Sequence, residues 1–283
     1  MISPPRPLHD LPIGVFDSGV GGLTVVQAIR DALPQEEILY LGDTARVPYG
    51  NKGAQTVRMY AQNAASLLVG RGVKALVIAC NTASAYGLEH LRALHPQVPI
   101  FGVIDPVAQR AASQSPTGSI ALIGTRGTVA SGCYPEAIAA YNPDARVVQL
   151  PCPLFVPLAE ERWTTGPVVE AIARSYFEPL VSHDVQVDTM ILGCTHYPIL
   201  RDALGLVLDE LMPRHVTLLD SAQATTARLV EHLDAHALRR HPRQERAALN
   251  FLVTDEPSGF LRMASTFFRG HLSRPEHVDL PAT

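Results

Sequence analysis

Two cysteines occupy matching places in the sequence, each directly after a short apolar run. Cys80 follows ALVIA and Cys194 follows TMILG. Thiols can act as acid and base because their ordinary pKa is about 8.5 and neighbouring groups can lower it. If two thiols face opposite sides of one carbon atom, one removes a proton while the other delivers one. The result is inversion of a stereocentre by general acid–base chemistry.

The other two cysteines have no such counterpart. Free cysteine is among the most buried residue types, so we expect Cys133 and Cys152 in the core. The four cysteines match no C-x-x-C spacing, and a zinc site or redox pair is therefore not indicated. A thiol–disulfide enzyme remains an alternative, and it predicts a reducible bond between Cys80 and Cys194.

Polar residues near the two cysteines extend the candidate site. Asp17 and Ser18 end the first apolar run, in FDSGVGG. The carboxylate of Asp17 can orient a thiol or accept its proton, and the alternative is a turn-forming aspartate. The glycines of this loop permit a tight turn into a helix whose N–H groups can hold an anion. His196 is either a proton shuttle for Cys194 or a core histidine.

Apolar runs alternate with helix-like segments along the chain. Strands are predicted at 13–16, 37–41, 75–79, 100–104, 119–124, 146–150, 189–193 and 216–220, and helices at 23–33 and 56–72 among others. Such alternation predicts an α/β fold with parallel sheets. Ligands of open α/β sheets bind outside the carboxyl ends of the strands, where both cysteines stand.

The two halves of the chain resemble each other. Four ordered pairs of strand ends match: Asp17 with Thr125, Leu41 with Leu150, Cys80 with Cys194, and Asp105 with Asp220. The separation within each pair grows slowly along the chain, as two copies with small insertions require. We interpret this as an internal duplication.

Composition excludes several classes of protein. The 283 residues are 47% hydrophobic and 18% charged, which is typical of a soluble globular enzyme. The net charge of -4 provides no basic field, so no direct nucleic-acid partner is expected. No apolar run approaches the roughly 18 residues that cross a bilayer, and the amino terminus lacks a signal-peptide core. We expect a cytoplasmic protein without a membrane partner.

The sequence also indicates cofactor-free chemistry. It contains two lysines, Lys52 and Lys74, and neither follows a predicted strand. A pyridoxal enzyme needs a lysine for its Schiff base, so pyridoxal phosphate is not expected. We predict no cofactor and no metal.

The motifs together resemble those of the glutamate racemases, within the cofactor-independent Asp/Glu racemase family. They are FDSGVGGLTV, YLGDTARVPYG, ACNTAS, GTRGTV, CPLFVPLAE and LGCTHYP, and NFLVTDEPSGFLRMASTFFRG is similar to the family's closing segment. ACNTAS with a later GCT is shared with aspartate and hydantoin racemases. The histidine of CTHYP and the DSGVGG loop favour the glutamate branch.

The resemblance implies interconversion of L- and D-glutamate, which supplies D-glutamate for peptidoglycan. It implies that Cys80 and Cys194 are the acid/base pair, serving D- and L-glutamate respectively. Asp17 and His196 assist them, and Glu160 of FVPLAE takes part. The implied substrate contacts are Asp17, Ser18, Tyr49, Gly50, Asn81, Thr82, Thr195 and His196.

It further implies two similar, pseudo-symmetric α/β domains, each a mainly parallel sheet flanked by helices, with the active site between them. We expect one domain from residues 1–102 plus 217–283, the other from 103–216, and a homodimer in solution. The alternatives are an aspartate or hydantoin racemase and an additional binding role as an inhibitor of DNA gyrase. The His- and Arg-rich stretch 231–248 matches no motif.

Overall fold

A computed structural model describes residues 6–182, 186–241 and 247–281. Within these ranges the strands are β1 (Ile13–Asp17), β2 (Ile38–Gly42), β3 (Ala75–Ile78), β4 (Ile100–Gly102), β5 (Ser119–Gly124), β6 (Arg146–Pro151), β7 (Thr189–Gly193), β8 (Thr217–Asp220), β9 (Leu249–Val253) and β10 (Glu276–His277). The α-helices are α1 (Leu23–Ala32), α2 (Ala54–Gly70), α3 (Asn81–Leu94), α4 (Ile104–Gln114), α5 (Arg126–Ala130), α6 (Cys133–Tyr141), α7 (Phe155–Glu160), α8 (Pro167–Ser182), α9 (Arg201–Leu211), α10 (Ser221–Ala235) and α11 (Pro257–Phe267). Four short 3-10 turns lie at Leu8–Asp10, Thr44–Arg46, Tyr49–Asn51 and Tyr197–Leu200.

The strands form two sheets in which every pairing is parallel. The first sheet has the order β10-β9-β2-β1-β3-β4, and the second has the order β6-β5-β7-β8. The order β2-β1-β3-β4 therefore recurs in the second sheet as β6-β5-β7-β8. The strands that correspond are the ones that the repeat in the sequence pairs. The predicted α/β class and the predicted duplication are confirmed at the level of topology.

All eight predicted strands are present, and two further strands complete the first sheet. β9 pairs with β2 and β10 pairs with β9. No strand is predicted from the sequence at β9 because the exposed Asn250 interrupts its apolar residues and leaves an apolar run of only three. β10 has only two residues, too few for a periodic signal.

One predicted boundary needs correction. The return to the first domain is predicted at residue 217, but β8 (Thr217–Asp220) pairs with β7 in the second sheet. The chain leaves that sheet at α10, which packs against both α1 and α4. The physical reason is that TLLD is the second copy's equivalent of β4 and completes the same four-stranded unit.

Helices cover both faces of each sheet. On the first sheet, α1, α10 and α11 pack on one face, while α2 and α3 pack on the other. On the second sheet, α7, α8 and α9 cover one face, while α4 and α6 cover the other. The strands are nearly continuous apolar runs because parallel sheets of this kind are buried on both sides. Among the described helices, none combines the length and apolar character that spanning a bilayer requires.

A buried ion pair ties together the ends of the first sheet opposite the cysteines. Lys74, just before β3, places its Nζ 2.5 Å from Glu36 Oε2 and 2.8 Å from the carbonyl oxygens of His9 and Leu238. The backbone N–H of Arg240 donates to the other oxygen of Glu36 at 2.9 Å. The pair therefore joins the amino-terminal segment and the chain after α10 to the sheet. This explains part of the His- and Arg-rich stretch, of which residues 242–246 lie outside the described residues.

We predict that Lys74→Met destabilises the protein by about 3 kcal/mol, because it leaves the carboxylate of Glu36 buried without its cation. The free energy of unfolding in urea measures the loss. Arg174→Met, which removes an exposed partner of Glu210, should change stability little. A Lys74→Met protein as stable as the wild type would contradict the assignment, whereas partial recovery in Lys74→Met with Glu36→Leu would support it.

Candidate active site

The carboxyl ends of β1, β3, β5 and β7 border a cavity of about 550 Å³ between the two sheets. Ten of the eleven residues predicted for the site line it: Ser18, Tyr49, Gly50, Cys80, Asn81, Thr82, Glu160, Cys194, Thr195 and His196. Residues from both copies of the repeat thus meet at one space, as the duplicated cysteines predict.

Asp17 is the exception, because it is fully buried and does not line the cavity. Its carboxylate accepts the backbone N–H of Gly19 at 3.0 Å and faces the hydroxyl of Thr195 at 3.4 Å. Burial raises the pKa of Asp17, against the positive charge of His196 and these hydrogen bonds. This placement does not favour the predicted direct contact between Asp17 and a substrate. Asp17 instead holds residues that do line the cavity.

Cys80 lies where β3 ends and α3 begins. Its Sγ caps α3, receiving the backbone N–H of Ala83 at 3.5 Å. Burial and the nearby charge of Asp17 raise the pKa of Cys80 to about 12, and the hydrogen bonds from Ala83 and Ser18 only partly oppose this. Neighbouring groups can lower the pKa of a thiol, but at Cys80 burial and the charge of Asp17 act in the opposite direction. The raised pKa favours the protonated thiol over the thiolate at Cys80.

Polar side chains surround the Cys80 side of the cavity. The hydroxyls of Thr82, Thr125 and Thr128 lie 2.9–3.1 Å from one another. Tyr134 donates to the side-chain oxygen of Asn81 at 2.6 Å, while the Nδ2 of Asn81 is buried without a hydrogen-bond partner. A buried donor without a partner is costly unless a ligand accepts from it.

The Cys194 side carries a chain of polar contacts. Cys194 Sγ lies 3.8 Å from His196 Nδ1, and His196 Nε2 lies 3.2 Å from Glu160 Oε1. The ring of Phe267 meets the imidazole edge-on, with 5.1 Å between ring centres. Burial works against a charged imidazole, but the hydrogen bonds to Cys194 and Glu160 outweigh it and raise the pKa of His196 to about 10. His196 therefore borders the cavity between Cys194 and Glu160.

The glycines of FDSGVGG serve close packing between the two halves. A Cβ on Gly21 would lie 2.4 Å from both His196 Nδ1 and Thr195 Oγ1. The hydroxyl of Thr24 lies 3.2 Å from the carbonyl oxygen of Thr195. The loop after β1 thus packs directly against the segment after β7, which holds Cys194.

Several lining residues are not predicted from the sequence. They include Val47, Thr125, Arg126, Pro153, Leu154 and Tyr176. Thr125 could have been predicted from the repeat, because the repeat pairs this residue with Asp17 at the end of the equivalent strand. Arg126 follows it and brings a cation to the rim, where Val47 and Leu154 expose apolar surface.

The remaining cysteines and the lysines lie away from the cavity lining. Cys152 is fully buried among apolar side chains, and Cys133 packs partly buried with its Sγ 3.3 Å from the carbonyl of Ala85. The core assignment is confirmed for Cys152, whereas Cys133 is only partly buried against the core, and the four thiols are free. Neither lysine lines the cavity, since Lys74 is engaged by Glu36 at the opposite end of β3. No group of three side chains in the described ranges is arranged to hold a metal ion.

Comparison with known proteins agrees with this architecture. The family model for Asp/Glu/Hydantoin racemase matches residues 22–229. The glutamate racemase of Geobacter metallireducens is 47% identical over 270 residues, which are 95% of this chain and 97% of that protein. The crystal structure of the Francisella tularensis glutamate racemase in complex with D-glutamate superposes with a TM-score of 0.88 at 34% identity, covering 96% and 98% of the two chains. That of the Thermus thermophilus enzyme in complex with β-chloro-D-alanine gives 0.81 at 43% identity, covering 97% and 98%.

The two sheets share one order over four strands, and each brings a cysteine to the shared cavity. The chain belongs to the Asp/Glu/hydantoin racemase family, whose members are isomerases. Within that family its similarity extends over nearly the whole chain to glutamate racemases. It belongs to this glutamate racemase branch, as the motifs indicate.

Proposed function

We propose that the protein interconverts L- and D-glutamate without a cofactor, by proton transfer between Cys80 and Cys194. One observation carries the proposal: the two thiols reach one cavity from equivalent strand ends of two repeated sheets. A carbon atom held between them presents opposite faces to the two sulfur atoms.

From the L-glutamate side, Cys194 acts as the base. A protonated His196 beside its Sγ favours the thiolate, and Glu160 supports that charge. The bond from Cα to hydrogen breaks, its electron pair stays on the substrate carbanion, and the proton passes to Cys194. Cys80, whose high pKa keeps it protonated, then gives its proton to the opposite face of the carbanion, so that D-glutamate forms and Cys80 is left as a thiolate. The reverse reaction needs the Cys80 thiolate, which the ammonium group of a bound substrate stabilises.

The polar lining suits a ligand with two carboxylates. The unpartnered Nδ2 of Asn81 and the hydroxyls of Ser18, Thr82 and Thr125 are donors for carboxylate oxygens. Arg126 at the rim brings a positive charge that attracts the substrate's carboxylates. Such a set of few polar groups in an otherwise apolar cleft is typical of small-molecule sites.

The test is racemisation by extensively dialysed protein. L-glutamate is incubated alone, with added pyridoxal phosphate, and with a metal chelator, while optical rotation is followed. We expect loss of optical activity in all three and poor turnover of aspartate. Protein that stays inert until pyridoxal phosphate is added would refute the cofactor-free reaction. Comparable turnover of aspartate would point to a broader racemase.

Membership of the family also supports a cellular role and an assembly. We propose that the product D-glutamate enters peptidoglycan synthesis in the cytoplasm, and that the protein acts as a homodimer. Light scattering coupled to gel filtration measures the mass in solution, and the mass of one chain alone would contradict the dimer. Depletion of the protein in its host should be rescued by external D-glutamate.

We predict that His196→Asn lowers kcat about a hundredfold, because the imidazole that favours the Cys194 thiolate is lost. The melting temperature should fall only slightly, since the side chain faces a cavity. His215→Asn, at an exposed histidine paired with Asp209, is the matched control and should leave both quantities unchanged. Retained turnover with a large drop in melting temperature would instead identify His196 as a core residue.

A further inference from the structure

Helix α7 ends in an unusual way directly after Glu160. Arg162 has a φ of 63°, in the left-handed region that favours glycine. Its N–H donates to the carbonyl of Ala159 at 3.2 Å, and the N–H of Trp163 donates to that of Leu158 at 2.8 Å. These two bonds are the usual helix-ending pattern with a left-handed residue, but glycine normally occupies that residue's place. The left-handed conformation costs a non-glycine residue energy, which its surroundings can offset.

The side chain of Arg162 supplies such surroundings. Its Nε donates to Thr266 Oγ1 at 3.0 Å, and its Nη2 contacts Ser265 Oγ and the carbonyl oxygen of Arg262 at 3.5 Å. All three acceptors belong to the carboxyl-terminal half of α11. A cation is favourable there because the end of a helix carries partial negative charge. Arg162 therefore fastens the end of α7 to the end of α11.

These two helix ends enclose His196. Glu160, the last residue of α7, lies with its Oε1 within hydrogen-bond distance of His196 Nε2. Phe267, the last residue of α11, packs against the same imidazole ring. Arg162 stands two residues after Glu160 and bonds to Thr266, the residue before Phe267. One guanidinium thus fixes the spacing of both groups that orient the imidazole.

We propose that Arg162 is a positioning residue that holds Glu160 and Phe267 against His196 and so keeps the imidazole directed at Cys194. This inference rests on the proposed two-thiol function. It implies that Arg162 supports proton transfer at Cys194 and not at Cys80, whose neighbours come from β3, α3 and the loop after β1.

The test measures each thiol separately. Cys80→Ser leaves exchange of the substrate's Cα hydrogen with heavy water to Cys194, and Cys194→Ser leaves it to Cys80. Arg162→Gly, which suits the left-handed backbone but removes the guanidinium, is added to each variant. We expect exchange by Cys194 to fall about tenfold and exchange by Cys80 to stay unchanged, because a displaced imidazole affects one thiol only.

Two sets of controls separate side chain from backbone. Ala237 also ends a helix in the left-handed region, with a φ of 53°, so Ala237→Gly reproduces the backbone change alone and should leave both exchange rates unchanged. Thr266→Val, which removes an acceptor, should imitate Arg162→Gly in part, whereas Thr266→Ser should restore exchange.

The outcomes distinguish the two proposals. Equal losses at both thiols, or no loss at either, would overturn the role of Arg162 while leaving the two-thiol function in place. If neither Cys80→Ser nor Cys194→Ser shows exchange although both are folded, the proposed function and this inference with it are overturned.

Discussion

Replacing either Cys80 or Cys194 by serine is expected to lower racemisation of glutamate about a thousandfold without unfolding the protein. A serine hydroxyl is far too weak an acid to replace a thiol as the base. The change from sulfur to oxygen is nearly isosteric, and both side chains border a cavity, so packing is largely retained. Racemisation followed by optical rotation and thermal unfolding followed by circular dichroism measure the two effects.

Each variant should keep the half-reaction of its remaining thiol. With Cys80 intact, exchange at Cα in heavy water should favour D-glutamate, and with Cys194 intact it should favour L-glutamate. Cys133→Ser, at a partly buried thiol outside the cavity lining, is the matched control and should racemise normally. The two-thiol mechanism fails if both active-site variants prefer the same enantiomer, or if either racemises at near the wild-type rate.

A single methyl group at Gly21 is expected to lower kcat about a hundredfold, although it removes no functional group. The Cβ of Gly21→Ala would stand 2.4 Å from His196 Nδ1 and Thr195 Oγ1, so one or both side chains must move. Movement of the imidazole breaks its alignment with Cys194. Overpacking at this contact between the halves should also cost about 1–3 kcal/mol of stability.

Gly70→Ala is the matched control, because a Cβ there meets no atom within 4 Å at the end of α2. That variant should be as active as the wild type and slightly more stable, since alanine suits a helix better than glycine. Wild-type turnover in Gly21→Ala would show that the loop after β1 does not determine the position of His196.

The sequence predicts the fold well because parallel strands are buried on both faces and stand out as apolar runs. The repeat then identifies Cys80 and Cys194 as partners without any structural information. The same repeat pairs Asp17 with Thr125, yet it cannot show that Asp17 is buried behind the cavity while Thr125 lines it. That difference depends on how far each strand end projects, which the packing of the two halves determines.

Contacts between distant segments lie outside the reach of sequence patterns. Glu160 enters the predicted site through family resemblance, since nothing in its spacing indicates that it meets His196. Arg162 and Thr266 are more than a hundred positions apart, and their contact depends on the docking of α7 against α11. β9 likewise joins the first sheet through pairing with β2, and its own apolar run is too short to predict a strand.

The recurring strand order places Thr82 where the second copy has His196, each two residues after its cysteine. In a pair of identical subunits, symmetry would give both half-sites the same residue at this position. Two copies on one polypeptide are free of that constraint. A mutation in one copy then alters the chemistry on one mirror face alone, so evolution can adjust the surroundings of each thiol independently of the other.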